Sequence, residues 1–293
     1  YNHLDQAYLA QRGINWSAAP GCNAVAVAEY VISALLRYHC QFKNGLTSLR
    51  NTRVGIVGAG NVGTVLATKL DALSVAYYLC DPPLQQNTDP REFVDMEAIA
   101  ECDAVCLHVP YITEGPFPTA KLIDADFIDR LNAEQLLVNA CRGGVLDESA
   151  YLGCVAKGNA PVLILDAWQH EPRCNLDVLD QVLFATAHIA GHSLEGKARG
   201  TFMVYEALCK HLGQTPTLKM SEFVSPLDEL KLTEEQVCDD QLISRMIFSI
   251  YDISEDDRIF RQAMAQSDSV ADSFGYLRKH YRQRREFAAQ KLV

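Results

Sequence analysis

Three residues in the middle of the chain have types suited to proton transfer on a carboxylic acid: Arg142, Glu171 and His188, separated by 29 and 17 positions. Histidine titrates near neutrality and serves most often as a general base. A carboxylate beside it fixes its tautomer and supports its charged form, and an arginine grips a substrate carboxylate with two parallel N–H donors. Taken singly, each has an ordinary reading: surface cation, solvated loop carboxylate, core histidine. Their joint placement changes that. Arg142 follows the apolar run Leu136–Ala140, Asp166 and Trp168 close the run Val162–Asp166, and His188 follows Leu183–Ala185.

A second chemistry sits upstream, in Val54-Gly-Ile-Val-Gly58-Ala-Gly60-Asn61-Val62-Gly63. An apolar run leading into G-x-G-x-x-G and then a helical pattern, Asn61 to Leu73, is a dinucleotide signature. Gly58 serves the turn, Gly60 lets backbone approach a pyrophosphate, and Gly63 lets helix and strand pack closely. Asn61 and Val62 open the helix, where free N–H groups and the positive dipole end face phosphate. The next apolar run, Val75–Cys80, ends in Asp81, which suits the ribose hydroxyls and repels a 2′-phosphate. The residues after it, Pro82-Pro-Leu-Gln-Gln-Asn87, carry no cation, so NAD is expected rather than NADP.

Both sets need strand ends to hold them. Apolar runs at 54–57, 75–80, 104–109, 136–140, 162–166 and 183–185 alternate with helical stretches at 61–73, 93–100, 124–131 and 149–156. That alternation predicts a Rossmann-type, doubly wound parallel α/β sheet, whose ligands lie at the carboxyl ends of the strands. His108 ends the third run at that edge. Upstream, a short helix is expected over 1–13, a brief strand over 13–17, and a long, mostly buried helix from Ala24 with Asn23 as its N-cap. Little chain precedes it, so the sequence reads as though it starts within a domain. Four parts follow: a remnant of a substrate domain (1–23), a NAD-binding domain (24–190), a return helix (191–217) and a C-terminal α+β segment (218–293). In that last part Thr233-Glu-Glu-Gln236 is a capping box, and Val237, Leu242, Ile243, Met246, Ile247 and Ile250 form an apolar stripe. Ser254 is expected to cap a further short helix, and Arg278–Arg285 is a basic run.

The 293 residues carry a formal net charge of −11, which disfavours nucleic acid and anionic membrane as partners. No apolar run reaches the roughly 18 residues of a spanning helix. Ten cysteines are scattered without C-x-x-C or a zinc-like cluster, so no metal is expected, and reduced thiols in a cytoplasmic protein are the simple reading.

Together V-G-I-V-G-A-G-N-V-G, D-P-P, N-A-C-R-G-G, E-P and A-H-I-A-G resemble the D-2-hydroxyacid dehydrogenases over nearly the whole chain. Ser17-Ala-Ala-Pro-Gly-Cys-Asn-Ala24 and Gly191-His-Ser-Leu-Glu-Gly-Lys-Ala-Arg-Gly-Thr201 resemble the branch that oxidises 4-phospho-D-erythronate. The resemblance implies catalysis by Arg142, Glu171 and His188. It implies NAD contacts at Gly58, Gly60, Asn61, Val62, Gly63, Asp81, Val109, Ala140, Cys141, Arg142, Asp166 and Gly191. Substrate contacts fall on Arg142 and His192. Val109 stands where a threonine is common, and His192 where a tyrosine is common. It also implies a flavodoxin-like substrate domain, here largely missing, and a homodimer formed through the C-terminal segment. Oxidation of another D-2-hydroxy acid such as phosphoglycerate, or NAD sensing without catalysis, is the alternative reading.

Overall fold

A computed structural model describes residues 4–231, 233–237 and 239–291. The first residues of the helix expected over 1–13 and the Val237 side chain of the apolar stripe lie outside the described residues. In chain order the elements are α1 (Gln6–Gln11), α2 (Ala24–Phe42), α3 (Gly45–Arg50), β1 (Arg53–Val57), α4 (Asn61–Ala72), β2 (Ala76–Cys80), α5 (Pro82–Gln86), α6 (Met96–Ala100), β3 (Ala104–Leu107), α7 (Ala125–Ile128), β4 (Leu136–Asn139), α8 (Glu148–Lys157), β5 (Val162–Leu165), α9 (Leu176–Leu179), β6 (Phe184–Ala185) and α10 (Leu194–His211). Four helices close the chain: α11 (Glu234–Val237), α12 (Asp240–Ile250), α13 (Ile253–Ala265) and α14 (Val270–Lys279).

The six strands form one parallel sheet in the order β2-β1-β3-β4-β5-β6. Its order reverses between β1 and β3, so the crevice for a ligand opens there. Strands β3 and β4 are buried along their whole length, as expected of a sheet covered on both faces. The glycine turn is enforced by close packing. Gly58 has φ +94°, and a Cβ there would lie 2.5 Å from the His108 carbonyl oxygen; at Gly63 it would lie 2.1 Å from that of Gly58. D-P-P adds an element that periodicity did not foresee. Asp81 accepts the Leu84 N–H at 3.0 Å and caps α5, with proline in its first turn.

Three expectations change. The brief strand at 13–17 does not form: Gly13, in the left-handed region, and Ile14 donate to Ala10 and Leu9 carbonyls and close α1 instead. Asn23 precedes α2 but makes no side-chain cap; its amide packs against Gly191, where a Cβ would lie 2.4 Å from Nδ2. Ser254 does not cap α13; Asp252 does, accepting the Ser254 N–H at 3.0 Å. The capping box at 233–236 forms as expected, with both reciprocal bonds present.

The chain after α10 wraps back over the sheet. Helix α12 packs on α3 and α2; of its apolar stripe Ile247 is buried, while Leu242, Ile243, Met246 and Ile250 are half-buried. Asp240 pairs with Arg50, and Asp252 with Arg37. Extended residues 227–230 bond to 289–291, through Leu227 N–H to Ala289 O (2.7 Å) and Leu230 N–H to Lys291 O (2.9 Å). Arg284 is 1% exposed; it donates to the carbonyls of Ala190 (3.0 Å) and Ala26 (2.7 Å) and stacks on Tyr251. Of the basic run, Arg284 is therefore built into the interior, while Lys279, His280 and Arg282 stay exposed.

Candidate active site

Two adjoining cavities run along the carboxyl ends of the strands. One, about 350 Å3 and mostly apolar, lies between the glycine turn, Asp81 and the loop from Pro110 to Leu122. The other, about 460 Å3, is walled by Gly60, Asn61 and Val62 on one side and by Ala140, Cys141, Arg142, Asp166, His188, Gly191 and His192 on the other. Gly60, His108, Val109 and Pro110 line both, so the two form one trough. Of the residues singled out in sequence, Glu171 and Gly63 lie outside this lining. Glu171 stands behind His188, and Gly63 packs beneath the turn.

The trough fits a dinucleotide on its own chemistry. Nothing approaches within 4 Å of a Cβ placed on Gly60, so the turn is open above the N-terminus of α4. Asp81 uses one oxygen on the Ala59 N–H (2.8 Å) and one on Leu84, leaving lone pairs for ribose hydroxyls. Both ring nitrogens of His108 and Nδ1 of His192 are buried without a partner among the described residues. Burial pulls the His108 pKa down to about 3; burial and the nearby charges of Arg278 and Lys197 pull His192 down to about 4. Both rings are neutral at neutral pH and await a ligand's polar atoms. One reading is amended here. A cation does approach the adenosine end: Arg91 donates to the Ala59 carbonyl (3.0 Å) and Thr64 Oγ1 (2.9 Å), but Asp89 holds it through both oxygens at 2.8 Å.

At the other end His188 Nδ1 lies 2.7 Å from Glu171 Oε2 and 2.9 Å from Oε1. Glu171 is itself oriented by the Trp168 N–H, which donates to Oε1 at 2.7 Å, and Glu171-Pro172 is a cis peptide. Trp168 is locked in turn by its indole N–H on the Thr186 carbonyl (2.8 Å) and by Phe260 of α13. His188 adopts a left-handed backbone, φ +53°, a conformation of order 1–3 kcal/mol above the common ones. Asp166 secures it. Its carbonyl accepts the His188 N–H (2.9 Å), and its carboxylate accepts Ile189 N–H (2.7 Å), Ala190 N–H (3.0 Å) and Thr186 O–H (2.6 Å). Since Thr186 gives its proton to Asp166, Tyr30 O–H must donate to Thr186 Oγ1, at 2.8 Å. Burial disfavours charge on His188, but the Glu171 hydrogen bond and the charges of Asp166 and Glu171 outweigh it, raising the pKa above 6.5. Arg142 is exposed on the trough wall, and among the described residues its guanidinium bonds only to its neighbour's carbonyl, Cys141 O, at 2.7 Å.

Sequence reasoning missed Arg278, which reaches this wall from α14, and Asn23, read only as a cap. The signal for Arg278 was present in the basic run, but run and trough are far apart in sequence.

The profile of the D-isomer specific 2-hydroxyacid dehydrogenase NAD binding domain matches residues 34–190. The chain belongs to the D-isomer specific 2-hydroxyacid dehydrogenase family. Within this family it is 45% identical, over 98% of its length and 75% of the relative's, to an erythronate-4-phosphate dehydrogenase of Pseudoalteromonas atlantica. It is 41% identical to the Colwellia psychrerythraea enzyme of the same name, over 98% of this chain and 74% of that one. Residues 224–293 match a domain of unknown function. A 2-hydroxyacid dehydrogenase from Ketogulonicigenium vulgare shares the fold, with a TM-score of 0.59 and 21% identity over 75% of this chain and 74% of that one. The D-lactate dehydrogenase of Aquifex aeolicus, solved with NAD and lactic acid, has a TM-score of 0.56 and 21% identity over 73% and 74%. Family membership and the trough agree on NAD as the cofactor.

Proposed function

We propose that the chain oxidises 4-phospho-D-erythronate to (R)-3-hydroxy-2-oxo-4-phosphooxybutanoate with NAD+, in vitamin B6 biosynthesis. The observation that carries the reading is the Glu171–His188 pair at 2.7 Å on the wall of a dinucleotide trough, with Arg142 on the same wall. The curated relatives support the choice of substrate.

The chemistry follows from which atoms are engaged. Glu171 occupies His188 Nδ1, so Nε2 is the nitrogen left to take the proton of the substrate's C2 hydroxyl. The imidazolium that forms is stabilised by Glu171, and such base catalysis contributes roughly 10²–10⁴-fold. Arg142 holds the C1 carboxylate as a fork and stabilises charge on the oxygen that becomes the carbonyl. Bound NAD+ supplies the hydride acceptor. Gly60, Asn61 and Val62 would hold its pyrophosphate and Asp81 its ribose, while Val109, Ala140, Cys141, Asp166 and Gly191 line the rest of the trough. His192 offers a neutral ring to a substrate oxygen. Steady-state assay of 4-phosphoerythronate against 3-phosphoglycerate and D-lactate tests the choice. A kcat/KM for either rival equal to that for 4-phosphoerythronate would overturn it.

A cytoplasmic homodimer completes the proposal. Among the described residues seven free cysteines are buried, which suits a reducing compartment, and no helix is long and apolar enough to cross a membrane. Dimerisation is assigned to 218–293, where Leu218, Phe223, Leu230, Ile259 and Tyr276 are exposed.

A further inference from the structure

Resting on the substrate reading above, we infer that Arg278 is the residue that recognises the substrate's phosphate and so selects a phosphorylated hydroxy acid over a plain one. Arg278 sits in the last turn of α14 and lines the same cavity as His188, Arg142 and His192. Its Nε donates to the His188 carbonyl at 3.2 Å, which ties the guanidinium directly to the residue that bears the base.

What distinguishes this arginine is what it lacks. Arg282 pairs with Asp256 and Glu255, Arg284 with two carbonyls, and Arg285 with Glu195 and Ser225 O. Among the described residues Arg278 has no carboxylate within ion-pair distance, so both of its amino groups remain for a ligand. The carboxylates nearby are committed elsewhere: Glu171 to His188 and the Trp168 N–H, Asp166 to Thr186, Ile189 and Ala190. The substrate end of the trough is therefore lined by two cations without carboxylate partners, Arg142 and Arg278, with a neutral His192 beside them. That is the complement of a short acid carrying an anionic group at each end. An arginine fork matches phosphate oxygens in pairs, and a cleft of one sign gathers a dianion. With C2 at His188 and C1 at Arg142, the phosphate two carbons beyond C2 faces Arg278, the other cation lining this cavity among the described residues.

The role is tested with the full chain on two substrates that differ only in the phosphate, 4-phosphoerythronate and erythronate. Arg278→Gln should lower the ratio of their kcat/KM values on the order of 10²-fold, mostly through KM, because two charge-assisted bonds are lost. Using the ratio removes any shared loss from the missing tie to His188. Arg278→Lys, which keeps the charge, should recover at least part of that ratio. An unchanged ratio in Arg278→Gln, or equal losses in both variants, would make the residue structural. Calorimetry with inorganic phosphate on the NAD-loaded protein separates this from the substrate reading. Weaker phosphate binding in Arg278→Gln than in wild type supports the phosphate site even if 4-phosphoerythronate is not oxidised. Equal binding, or none by wild type, overturns it.

Discussion

His188 is useful as a base only while Nε2 is unprotonated, and its surroundings hold that proton more tightly than water does. Burial opposes the charge, yet Glu171 and Asp166 raise the pKa above 6.5. The rising limb of kcat/KM against pH should accordingly lie above 6.5 and level off on the alkaline side. Glu171→Gln removes both a hydrogen bond and a charge. The limb should then move to lower pH while the plateau falls by about tenfold or more. A profile that keeps its midpoint would reduce Glu171 to a loop residue. At the opposite end of the trough, Asp81 and the Arg91–Asp89 pair make a second residue-scale prediction. Asp81→Asn keeps an acceptor for only one of the Ala59 and Leu84 N–H groups and loses the charge, so NADP should gain on NAD. Adding Asp89→Ala frees the Arg91 guanidinium and should strengthen NADP further. Dissociation constants for the two dinucleotides measure it; an NADP affinity that stays put in the double variant would exclude Arg91.

At the scale of elements, the six strands were legible because buried parallel strands are uninterrupted apolar runs, and each formed within two residues of its expected bounds or less. The glycine turn and the residues at the strand ends followed from that order. What escaped was anything decided by distant packing. Strand 13–17 failed because its backbone donors close α1, and Asn23 turned away from capping because Gly191 leaves room for its amide. The apolar stripe at 242–250 lies along one face of α12 as read, but only the fold shows that α3 and α2 cover part of it, burying Ile247 and leaving the other positions half-buried. Arg278 is the plainest case: a periodicity reading of Arg278–Arg285 gives a basic surface, whereas the chain's return path places one of these side chains at the trough and another in the core.

That return path ties the whole molecule together. Arg284 bridges the carbonyls of Ala26 and Ala190, the buried Glu29 of α2 accepts the Phe287 N–H at 2.9 Å, and Phe260 supports Trp168 behind Glu171. Arg284→Met should cost about 2–5 kcal/mol, since two buried carbonyls lose their donor, and should lower the urea midpoint. A midpoint equal to wild type would mean the C-terminal segment docks without contributing to stability. Deleting 224–293 should likewise fail to leave a stable NAD-binding core, because it strips cover from α2 and β6. Assembly is a separate matter. Phe223→Asp places a charge on an exposed apolar site, and if the proposed dimer forms through it, light scattering should report dimer for wild type and monomer for the variant. Dimers in both would move the interface away from Phe223.

The central claim is that His188 takes the C2 proton of 4-phosphoerythronate in a site that already binds NAD. The most direct test measures two quantities on wild type and His188→Asn: NADH formation from 4-phosphoerythronate, and the dissociation constant of NAD. The account predicts turnover in wild type, a loss of about 10²–10⁴-fold in kcat for His188→Asn, and NAD binding changed by less than about threefold. Wild-type kcat in His188→Asn, or a kcat loss fully explained by lost NAD binding, would contradict it.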